Sequence, residues 1–545
     1  MSLLHSLPVE PNHPVYPFLQ HMVIRGHLSA PFLSSLPLSE KEIKSCLNSL
    51  SKKSQKLSQA EQAKLKSLRK SFFPKEQKLP SLLRYQRQSQ KVEGTLQFVN
   101  YAQYQDSLPQ SSSRWLGTFS ANVKGQFQEG LEFLSYVAIS QERSSLKKFN
   151  ERYDPLYGLP YNTPDQRREE GSLSFNNATF DSFRALLSFE RKFWAFDFGN
   201  DWNQWGPGIW QHSTLAQNSY FWIQDSLNID TSATSKPLYN PALLGKGYRD
   251  GYRFPGESAP MTQIRLKSNW KNFYYTKFLA KKVGLTQDSS GFLTGHRLEV
   301  KLGSFMLGIS EILSYNRETV NWTYLIPLAP FFFAEHQLGD RDNTALSWDI
   351  QYYFMNRARV FGELFMDDLL SPSDIAKNYW GNKYAYTLGT EVHDIGAEMS
   401  KLQLEYSRVE PWVYTHHTKN NQLQHFGSLL GSSLPPNSHA FHARWSKYFL
   451  FNLNVDFEYG FFQHQYLARG SSVLDIHQIT DPTTKEFLGE NTETRHQYGI
   501  STTYSPIRLF ELQLYSKFET IKNWKSNPDK NPDLFSVGAI VKLQY

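Results

Sequence analysis

The sequence predicts an all-β transmembrane barrel of about 18 antiparallel strands with a small N-terminal α-helical bundle. Residues 534–545 provide the first observation, because apolar and largely polar residues alternate there, as in a strand between two unlike environments. The second observation is that many such segments are joined by connections that alternate between short and long. The third is that no apolar run reaches the roughly 18 residues that a membrane helix requires. Tyr545 ends the last segment, and that strand is expected to close onto the first strand.

Residues 1–91 are predicted to form the helical bundle, and residues 92–545 are predicted to form the barrel with long extracellular loops. In three segments the apolar residues recur with the period of a helix, and residues that favour a helix end lie beside them. These segments are residues 15–25, 39–50 and 58–73. The second and third segments each begin with a Ser-x-x-Glu capping box, while Gly26 and Pro74 stop the first and the third. Residues 41–91 are rich in Lys and Arg, which indicates either a solvated face or contact with an acidic polymer or lipid.

Period-2 alternation predicts the strands of the barrel, and an even number of strands is typical of bacterial barrels. In residues 345–355, for example, Leu346, Trp348 and Ile350 alternate with Ser347 and Asp349. The predicted strands are residues 93–103, 115–126, 130–141, 180–189, 192–199, 261–269, 272–280, 294–303, 304–312, 345–355, 358–367, 384–393, 399–408, 440–449, 450–463, 496–505, 508–520 and 534–545.

The lengths of the connections predict the orientation of the barrel. Transmembrane barrels have short periplasmic turns and longer extracellular loops. The order of short and long connections places both chain termini on the side of the short turns. The helical bundle is therefore expected to be periplasmic, and to lie under the barrel or partly inside it as a plug.

Charged residues at positions predicted to face the lumen carry both signs. A lumen charge network is predicted at Arg265, Lys267, Arg297, Glu299, Lys301, Lys517 and Glu519, and Glu363, Glu391, Lys401, Glu405 and Glu458 face the same way. One interpretation is a set of ion pairs that closes the lumen together with inward-folded loops. The other is a selectivity lining for solutes. The mixture of signs favours the closed lumen.

The longest loop, residues 200–260, begins with flat aromatic and amide side chains. Aromatic rings that stack on sugar faces, beside amides that pair with hydroxyl groups, are typical of glycan sites. The candidate glycan-binding residues are Trp202, Asn203, Gln204, Trp205, Trp210, Tyr220 and Trp222. The alternative interpretation is that these aromatic side chains fix the loop in the mouth of the barrel. Gly206, Pro207 and Gly208 are predicted to shape the loop backbone.

The sequence favours a protein that is not an enzyme and that needs no cofactor and no metal. His416 and His417, like Asp367 and Asp368, match no zinc, phosphate-binding or nucleophile motif. A Ser/His site on the outer wall of the barrel stays open as an alternative. The single cysteine, Cys46, excludes an internal disulfide and is interpreted as a small core residue.

Charge and composition limit which partners and which cellular location are compatible with the sequence. Lys and Arg number 58 against 51 Asp and Glu, so the formal charge is +7, which permits anionic partners. The 39 Phe, 30 Tyr and 13 Trp suit aromatic girdles at membrane interfaces, although a large soluble β protein could also hold them in its core. No signal peptide is visible after Met1. Because an outer-membrane barrel must be exported, Met1 is interpreted as an added start on a mature chain.

The sequence resembles the Wzi family of outer-membrane capsule assembly proteins at four places, which are residues 16–39, 199–208, 341–343 and 362–368. They include Gly199-Asn200-Asp201-Trp202, Trp205-Gly206-Pro207-Gly208, Arg341-Asp342-Asn343 and Gly362-Glu363-Leu364-Phe365-Met366-Asp367-Asp368. The resemblance implies an eighteen-stranded barrel with a periplasmic bundle. It also implies a lectin-like role without catalysis, in which the protein holds capsular or other surface polysaccharide at the cell surface.

The partners expected from this interpretation are a surface polysaccharide, for which an acidic polymer would suit the basic charge, and the lipid and lipopolysaccharide of the outer membrane. No nucleic acid is expected, and the barrel is expected to be monomeric in the outer membrane of a Gram-negative-type bacterium. Two alternatives remain open from the sequence. One is a gated pore for sugars or other small solutes, and the other is a barrel subunit of a larger envelope complex.

Overall fold

Eighteen antiparallel strands pair in chain order and close into one barrel, in which the last strand pairs with the first. The predicted fold class is therefore confirmed. In the described part of the chain, no helix is long and apolar enough to cross a membrane. The computed structural model describes residues 7–73, 83–87, 90–106, 112–128, 130–144, 177–216, 260–283, 291–339, 341–368, 377–418, 421–425, 428–450, 452–473, 475–507 and 510–544.

Each predicted strand corresponds to one barrel strand, and each observed strand extends beyond the predicted range at one end or both, because backbone pairing continues beyond the alternating side chains. Several begin later than predicted, such as those that begin at Trp194 and Leu453 instead of 192 and 450. The barrel strands are β1 (Gln90–Asp106), β2 (Ser112–Gln128), β3 (Leu131–Ser144), β4 (Asn177–Glu190), β5 (Trp194–Asp201), β6 (Met261–Trp270), β7 (Phe273–Lys282), β8 (Gly291–Leu302), β9 (Phe305–Tyr315), β10 (Asn343–Phe354), β11 (Ala358–Asp368), β12 (Lys383–His393), β13 (Ser400–Val409), β14 (Ser438–Phe449), β15 (Leu453–His464), β16 (Glu493–Ile507), β17 (Phe510–Lys522) and β18 (Asp533–Gln544). A short strand, Leu83–Arg87, also pairs with β1. Tyr545 lies outside the described residues.

The N-terminal part contains the three predicted helices, α1 (Val15–Ile24), α2 (Glu40–Lys52) and α3 (Gln59–Phe72). Both predicted capping boxes are present, with Ser39 at the start of α2 and Ser58 at the start of α3. Each cap satisfies backbone N–H groups that the first helical turn leaves without a partner. A further helix, α4 (Phe331–Gln337), lies between β9 and β10 and was not predicted. It has only about two turns, which is too short for its apolar residues to show a helical period.

The two faces of the barrel wall differ in the way that a membrane barrel requires. In β10, Ser347, Asp349 and Gln351 face the lumen and are at most 5% exposed. Between them, Trp348 and Ile350 face outward and are 41% and 45% exposed. A soluble barrel would place its apolar side chains inside, so this polar interior and apolar exterior are typical of a barrel surrounded by lipid.

The helical bundle lies at the end of the barrel that has the short turns. The Lys41 ammonium is 2.6 Å from the Glu190 carboxylate at the end of β4. The Arg25 guanidinium is 3.0 Å from the Asp394 carboxylate, directly after β12. The long connections therefore emerge at the opposite end of the barrel.

The bundle also reaches into the lumen, where it contacts side chains of the inner wall. The imidazoles of His21 in α1 and His393 in β12 are joined by a hydrogen bond of 2.5 Å. The Ser35 hydroxyl donates to the Glu299 carboxylate at 2.6 Å. These contacts connect the bundle to the inner wall through buried polar groups.

The Glu61 carboxylate connects α3 to α1 and makes the stability of the helical bundle depend on pH. It accepts hydrogen bonds from the His21 ring at 3.0 Å and from the Ser58 backbone N–H at 2.8 Å. Burial alone would raise the pKa of Glu61, but these hydrogen bonds outweigh burial and lower the pKa from 4.5 to about 2. A carboxyl group with a lowered pKa stabilises the folded state above its ordinary pKa, and that contribution is lost as the pH falls.

We therefore expect the bundle to lose about 3 kcal/mol of stability between pH 4.5 and pH 2, since each pKa unit corresponds to about 1.4 kcal/mol. The measurement is the urea concentration at which the circular dichroism signal of the helices is lost, followed as a function of pH. In Glu61→Gln the dependence on pH in this interval should be much weaker. Equal pH dependence in the two proteins would show that Glu61 is not the group that titrates.

Candidate functional site: a loop folded into the lumen

Residues 201–216 leave β5 and turn back into the lumen, where they form the centre of the candidate site. Trp205 and Leu215 in this lumen loop have no exposed surface. Trp205 packs against Phe278 of β7, with the ring centroids 5.2 Å apart. Residues 203–216 are therefore part of an internal core and do not project from the barrel.

Two carboxylates of the inner wall hold the lumen loop by its backbone. The Glu405 carboxylate of β13 accepts hydrogen bonds from successive N–H groups of Ile209, Trp210 and Gln211, at 2.5, 3.2 and 2.8 Å. The Glu363 carboxylate of β11 accepts from the N–H groups of Ser213 and Thr214, at 3.1 and 2.7 Å. Here these hydrogen bonds replace water for a buried stretch of backbone.

Arg265 of β6 fixes the start of the loop. Its guanidinium is fully buried and lies 2.8 Å from the Asp197 carboxylate, and it also contacts the Asp201 carboxylate. The same guanidinium donates to the Trp202 carbonyl at 2.8 Å and to the Asn203 side-chain oxygen at 3.1 Å. A buried charge needs partners for all of its donors, and this arrangement supplies them from the wall and from the loop.

The Gly206-Pro207-Gly208 segment permits a close approach between the loop and the wall. Gly206 has a φ of +113°, and a Cβ at this position would lie 2.7 Å from the Glu363 carboxylate. A Cβ at position 208 would lie 1.7 Å from the Gln211 carbonyl oxygen. Both positions therefore require glycine, one for its backbone conformation and both for space.

The lumen loop meets the helical bundle inside the barrel. Ser35 and Leu36 of the bundle segment pair in antiparallel fashion with Trp205 and Gln204 of the loop. The Gly206 N–H donates to the Ser34 carbonyl at 3.0 Å. Elements that enter from opposite ends of the barrel are thus joined by backbone hydrogen bonds in its interior.

A second long connection follows β13, and its described residues 410–418, 421–425 and 428–437 cover the lumen loop from the end with the long loops. The Tyr414 hydroxyl donates to the Ser213 carbonyl at 2.9 Å, and the Ser433 hydroxyl donates to the Gln211 side-chain oxygen at 2.7 Å. The Tyr414 N–H in turn donates to Asp367 of β11 at 2.6 Å. The core between these loops and strands β6–β15 contains mainly apolar side chains, among them Leu423, Leu430, Leu434, Val413 and Phe365.

Of the five predicted glycan-binding residues that the structure describes, Asn203, Trp205 and Trp210 are buried, while Trp202 and Gln204 are half-buried. The Trp205 side chain has no exposed surface. Trp210 is 7% exposed, and its ring stacks on the His442 ring with the centroids 5.2 Å apart. Asn203 donates to Gln263 at 2.6 Å, and Gln204 is 2.9 Å from His212. Trp202 is half-buried with the Arg184 guanidinium 4.7 Å from its ring, and Tyr220 and Trp222 lie outside the described residues. Glycan binding by these residues stays a prediction, and the loop would have to leave the lumen to present Trp205.

All of the predicted lumen charges lie on the inner side of their strands, and most of them take part in ion pairs with neighbouring residues. The ion pairs are Arg265–Asp197 at 2.8 Å, Lys267–Asp197 at 3.1 Å, Arg297–Asp349 at 2.6 Å, Arg297–Glu299 at 3.6 Å and Lys517–Glu519 at 2.8 Å. Lys301 contacts the Ser29 hydroxyl at the edge of the bundle. Asp197 and Asp349 were not among the predicted lumen charges, although both occupy inward positions of predicted strands.

An outer aromatic cluster lies at the end of the barrel with the long loops. It consists of Trp380, Trp412 and His477, together with the ion pair Arg469–Asp481. The Trp380 and His477 rings stack at 3.6 Å and are half-buried, while Trp412 is buried beneath them. The Arg469 guanidinium is 2.9 Å from Asp481, and this hydrogen bond lowers the pKa of that carboxyl. Partly exposed rings beside fixed charges can take part in both stacking and hydrogen bonding.

In the part of the chain that the structure describes, no group of three or more His, Cys, Asp or Glu side chains could hold a metal ion. Cys46 is half-buried in α2, and burial raises the pKa of its thiol to about 12. A thiol of this kind remains protonated at neutral pH and is a poor nucleophile. The described side chains of the site offer hydrogen-bonding groups, charges and aromatic rings.

No family model matches the sequence, and no curated protein matches it. Among solved structures, the chain is similar to Wzi, an outer membrane protein involved in group 1 capsule assembly in Escherichia coli and a carbohydrate-binding β-barrel, with a TM-score of 0.58 and 11% identity over 98% of this chain and 99% of that chain. It is also similar to OccK5 (OpdH) of Pseudomonas aeruginosa, with a TM-score of 0.43 and 10% identity over 83% of this chain and 98% of that chain. OccAB4 of Acinetobacter baumannii gives a TM-score of 0.44 and 10% identity with the same coverage of 83% and 98%. The likeness to Wzi concerns the fold and extends over nearly the whole of both chains.

Proposed function

We propose that the protein is an outer-membrane barrel of a Gram-negative bacterium that binds surface polysaccharide, including capsular polymer, and holds it at the cell surface without catalysis. The observation that carries this proposal is the occupied lumen. The bundle enters from one end, the lumen loop enters from the other, and the two pair directly between Ser35 and Trp205. A barrel filled in this way suits a binding role better than free passage of solutes.

The wall of the barrel supports placement in a membrane. The outward positions of neighbouring strands carry exposed apolar side chains, such as Leu298, Ile309 and Trp348, which are 37%, 42% and 41% exposed. Burial of such surface in lipid is favourable by about 25 cal/mol per Å². The only membrane-spanning structures that satisfy their own backbone are helices and closed barrels, and this chain forms a closed barrel.

The outer aromatic cluster is the surface that we assign to the first contact with the polymer. Its stacked rings of Trp380 and His477 lie at the end of the barrel opposite the bundle, which is the extracellular end in the proposed orientation. The cation of Arg469 beside them suits an acidic polymer. The carbohydrate-binding activity stated for Wzi supports the same class of ligand by analogy of fold.

Replacing Trp380 and His477 together by alanine is expected to reduce the retention of surface polysaccharide on cells severalfold, because the stacked ring surface is lost. The control is Trp194→Ala, which removes a tryptophan that is 43% exposed at the end with the short turns. Polymer is quantified on washed cells, and correct barrel assembly is confirmed by altered migration on gels after heating. Equal retention in the double variant, the control and the wild type would remove the outer aromatic cluster from the site.

One observation favours a gated pore as the second candidate. A cavity of about 1000 Å³ lies between α3 and the inner wall at the end with the short turns. Lys64, Lys124, Arg184 and Glu511 are among the residues that line it. If the bundle and the lumen loop were displaced, this cavity would become one end of a polar passage.

A further inference from the structure

The chain between β9 and β10 lies on the outside of the barrel, and residues 316–338 of it are called the outer flap here. The Phe331 ring of the flap is 4.5 Å from the His296 ring of β8 and 4.0 Å from the Lys277 ammonium of β7. Lys277 and His296 are paired neighbours, and they alternate with Phe278 and Gly295, which belong to the lumen side. The flap therefore covers outward positions of the wall.

The surface beneath the flap is charged. Lys277, His296 and Glu311 lie side by side at outward positions of three neighbouring strands. The His296 ring is 2.8 Å from the Glu311 carboxylate. Lys277 is 5% exposed, and its ammonium has no hydrogen-bond partner among the described residues. Charged groups on the lipid-facing side of a barrel are destabilising, so this cluster needs a cover.

The flap is held in place by buried contacts. Tyr324 has no exposed surface, and its hydroxyl donates to the Asp342 carboxylate at 2.6 Å. The Phe331 backbone N–H donates to the Glu311 carboxylate at 2.9 Å. Phe331 and Tyr324 pack against Leu313 and Tyr315 of β9. The flap is thus fixed to the wall by the same carboxylate that it hides.

The surface of the flap that faces away from the barrel is a ridge of large apolar side chains. Their exposed fractions are 78% for Trp322, 54% for Ile326, 78% for Leu328, 52% for Phe332 and 65% for Phe333. Residues 320–334 contain no Asp, Glu, Lys, Arg or His. Single exposed apolar residues are common, but a contiguous ridge of this kind marks a surface that is covered by an apolar partner.

The backbone of the flap is also suited to an apolar environment. Pro327 and Pro330 have no N–H group, and the Pro327 carbonyl accepts a hydrogen bond from the Tyr275 hydroxyl. The N–H groups of Tyr324 and Ile326 donate within the flap at 3.2 and 3.3 Å. A backbone polar group without a partner costs several kcal/mol in the hydrocarbon region, so these internal hydrogen bonds lower the cost of contact with lipid.

We propose that the outer flap is a lipid-contacting element, with Trp322, Leu328, Phe332 and Phe333 inserted among the acyl chains of the surrounding leaflet. Leu298 and Ile309 are the next outward positions after His296 and Glu311 on the strands that the flap covers, and both are exposed and apolar. The ridge therefore borders the apolar surface of the wall, which is the reason to assign lipid as its partner. The flap covers the charged side chains of Lys277, His296 and Glu311 and presents an apolar surface in their place. This inference rests on the proposed placement of the barrel in a membrane.

The test uses the full chain with Cys46 replaced by serine, so that one introduced cysteine can carry an environment-sensitive fluorophore. Leu328→Cys and, separately, Phe333→Cys place the fluorophore on the flap. Ile479→Cys is the aqueous control, because Ile479 is fully exposed on a long connection, and Leu514→Cys reports on the wall at an outward position of β17. Each protein is reconstituted into phospholipid vesicles whose acyl chains carry bromine, which quenches fluorophores that contact it.

We expect both flap positions to be quenched about as strongly as position 514, while position 479 is quenched by aqueous iodide instead. Quenching at position 514 without quenching at 328 and 333 would overturn the inference and leave the membrane placement intact. Protection of the flap positions from both quenchers would also overturn it, because a second copy of the chain would then cover the ridge. Absence of quenching at position 514 would contradict the placement of the barrel in the membrane.

Discussion

Replacing Glu363 and Glu405 together by alanine is expected to make the barrel conduct ionic current, whereas the wild type is expected to carry none. The two carboxylates accept hydrogen bonds from the backbone N–H groups of residues 209–211, 213 and 214. Without them these buried N–H groups lose their partners, at about 1–3 kcal/mol each. The lumen loop can regain partners only by moving into water. Single-channel conductance in planar bilayers measures the outcome.

The matched control for this experiment is Glu519→Ala. Glu519 is also a buried carboxylate of the inner wall, and it pairs with Lys517 at 2.8 Å on β17, away from the lumen loop. The control protein and the wild type should stay silent under conditions in which the double variant shows open events. A silent double variant that is correctly folded would show that other contacts keep the lumen closed. A conducting wild type would favour the gated pore over the binding role.

Replacing Arg265 by alanine is expected to destabilise the barrel by about 3–5 kcal/mol, which is the usual effect of removing one partner of a buried ion pair. Asp197 and Asp201 would both lose the guanidinium that neutralises them, and Trp202 and Asn203 would lose its hydrogen bonds. The measurement is the temperature or denaturant concentration at which the folded barrel disappears from a gel run without prior heating.

Lys542→Ala provides the comparison for the Arg265 variant. Lys542 forms an ion pair with Glu511 at 3.0 Å, but its side chain is 40% exposed, and exposed pairs contribute at most about 1 kcal/mol. The two variants should therefore differ clearly in stability. If both behaved like the wild type, the buried cluster around Arg265 would not be what fixes the base of the lumen loop.

The sequence was sufficient to predict the strands and the side of the wall that each residue faces. Alternation is a local property, since the polar side chains of Ser347 and Asp349 and the apolar side chains of Trp348 and Ile350 are neighbours in the chain. The same local reasoning predicted the capping boxes at Ser39 and Ser58, because a cap depends on residues three positions apart.

The path of the lumen loop could not be predicted in the same way. Its backbone partners, Glu363 and Glu405, lie about 150 and 195 residues further along the chain. Aromatic and amide side chains such as Trp205 and Asn203 suit an exposed glycan site and a buried loop equally well by type. What distinguishes the two interpretations is burial, and burial is decided by those distant carboxylates.

The outer flap escaped prediction for a different reason. Its helix, α4, is too short to show helical periodicity, and residues 320–334 contain neither alternation nor charge. A stretch of this kind between two strands resembles any long loop. Contacts with residues distant in the sequence, such as those of Phe331 with Lys277 and His296, show that it lies against the outer wall.

A clean deletion in the native host tests whether the protein holds polysaccharide at the cell surface. Surface polysaccharide is then quantified both on the cells and in the medium. We expect the total amount to be unchanged and polymer to move from the cells into the medium. Polymer that stays on the cells in normal amount after the deletion would contradict the proposed function.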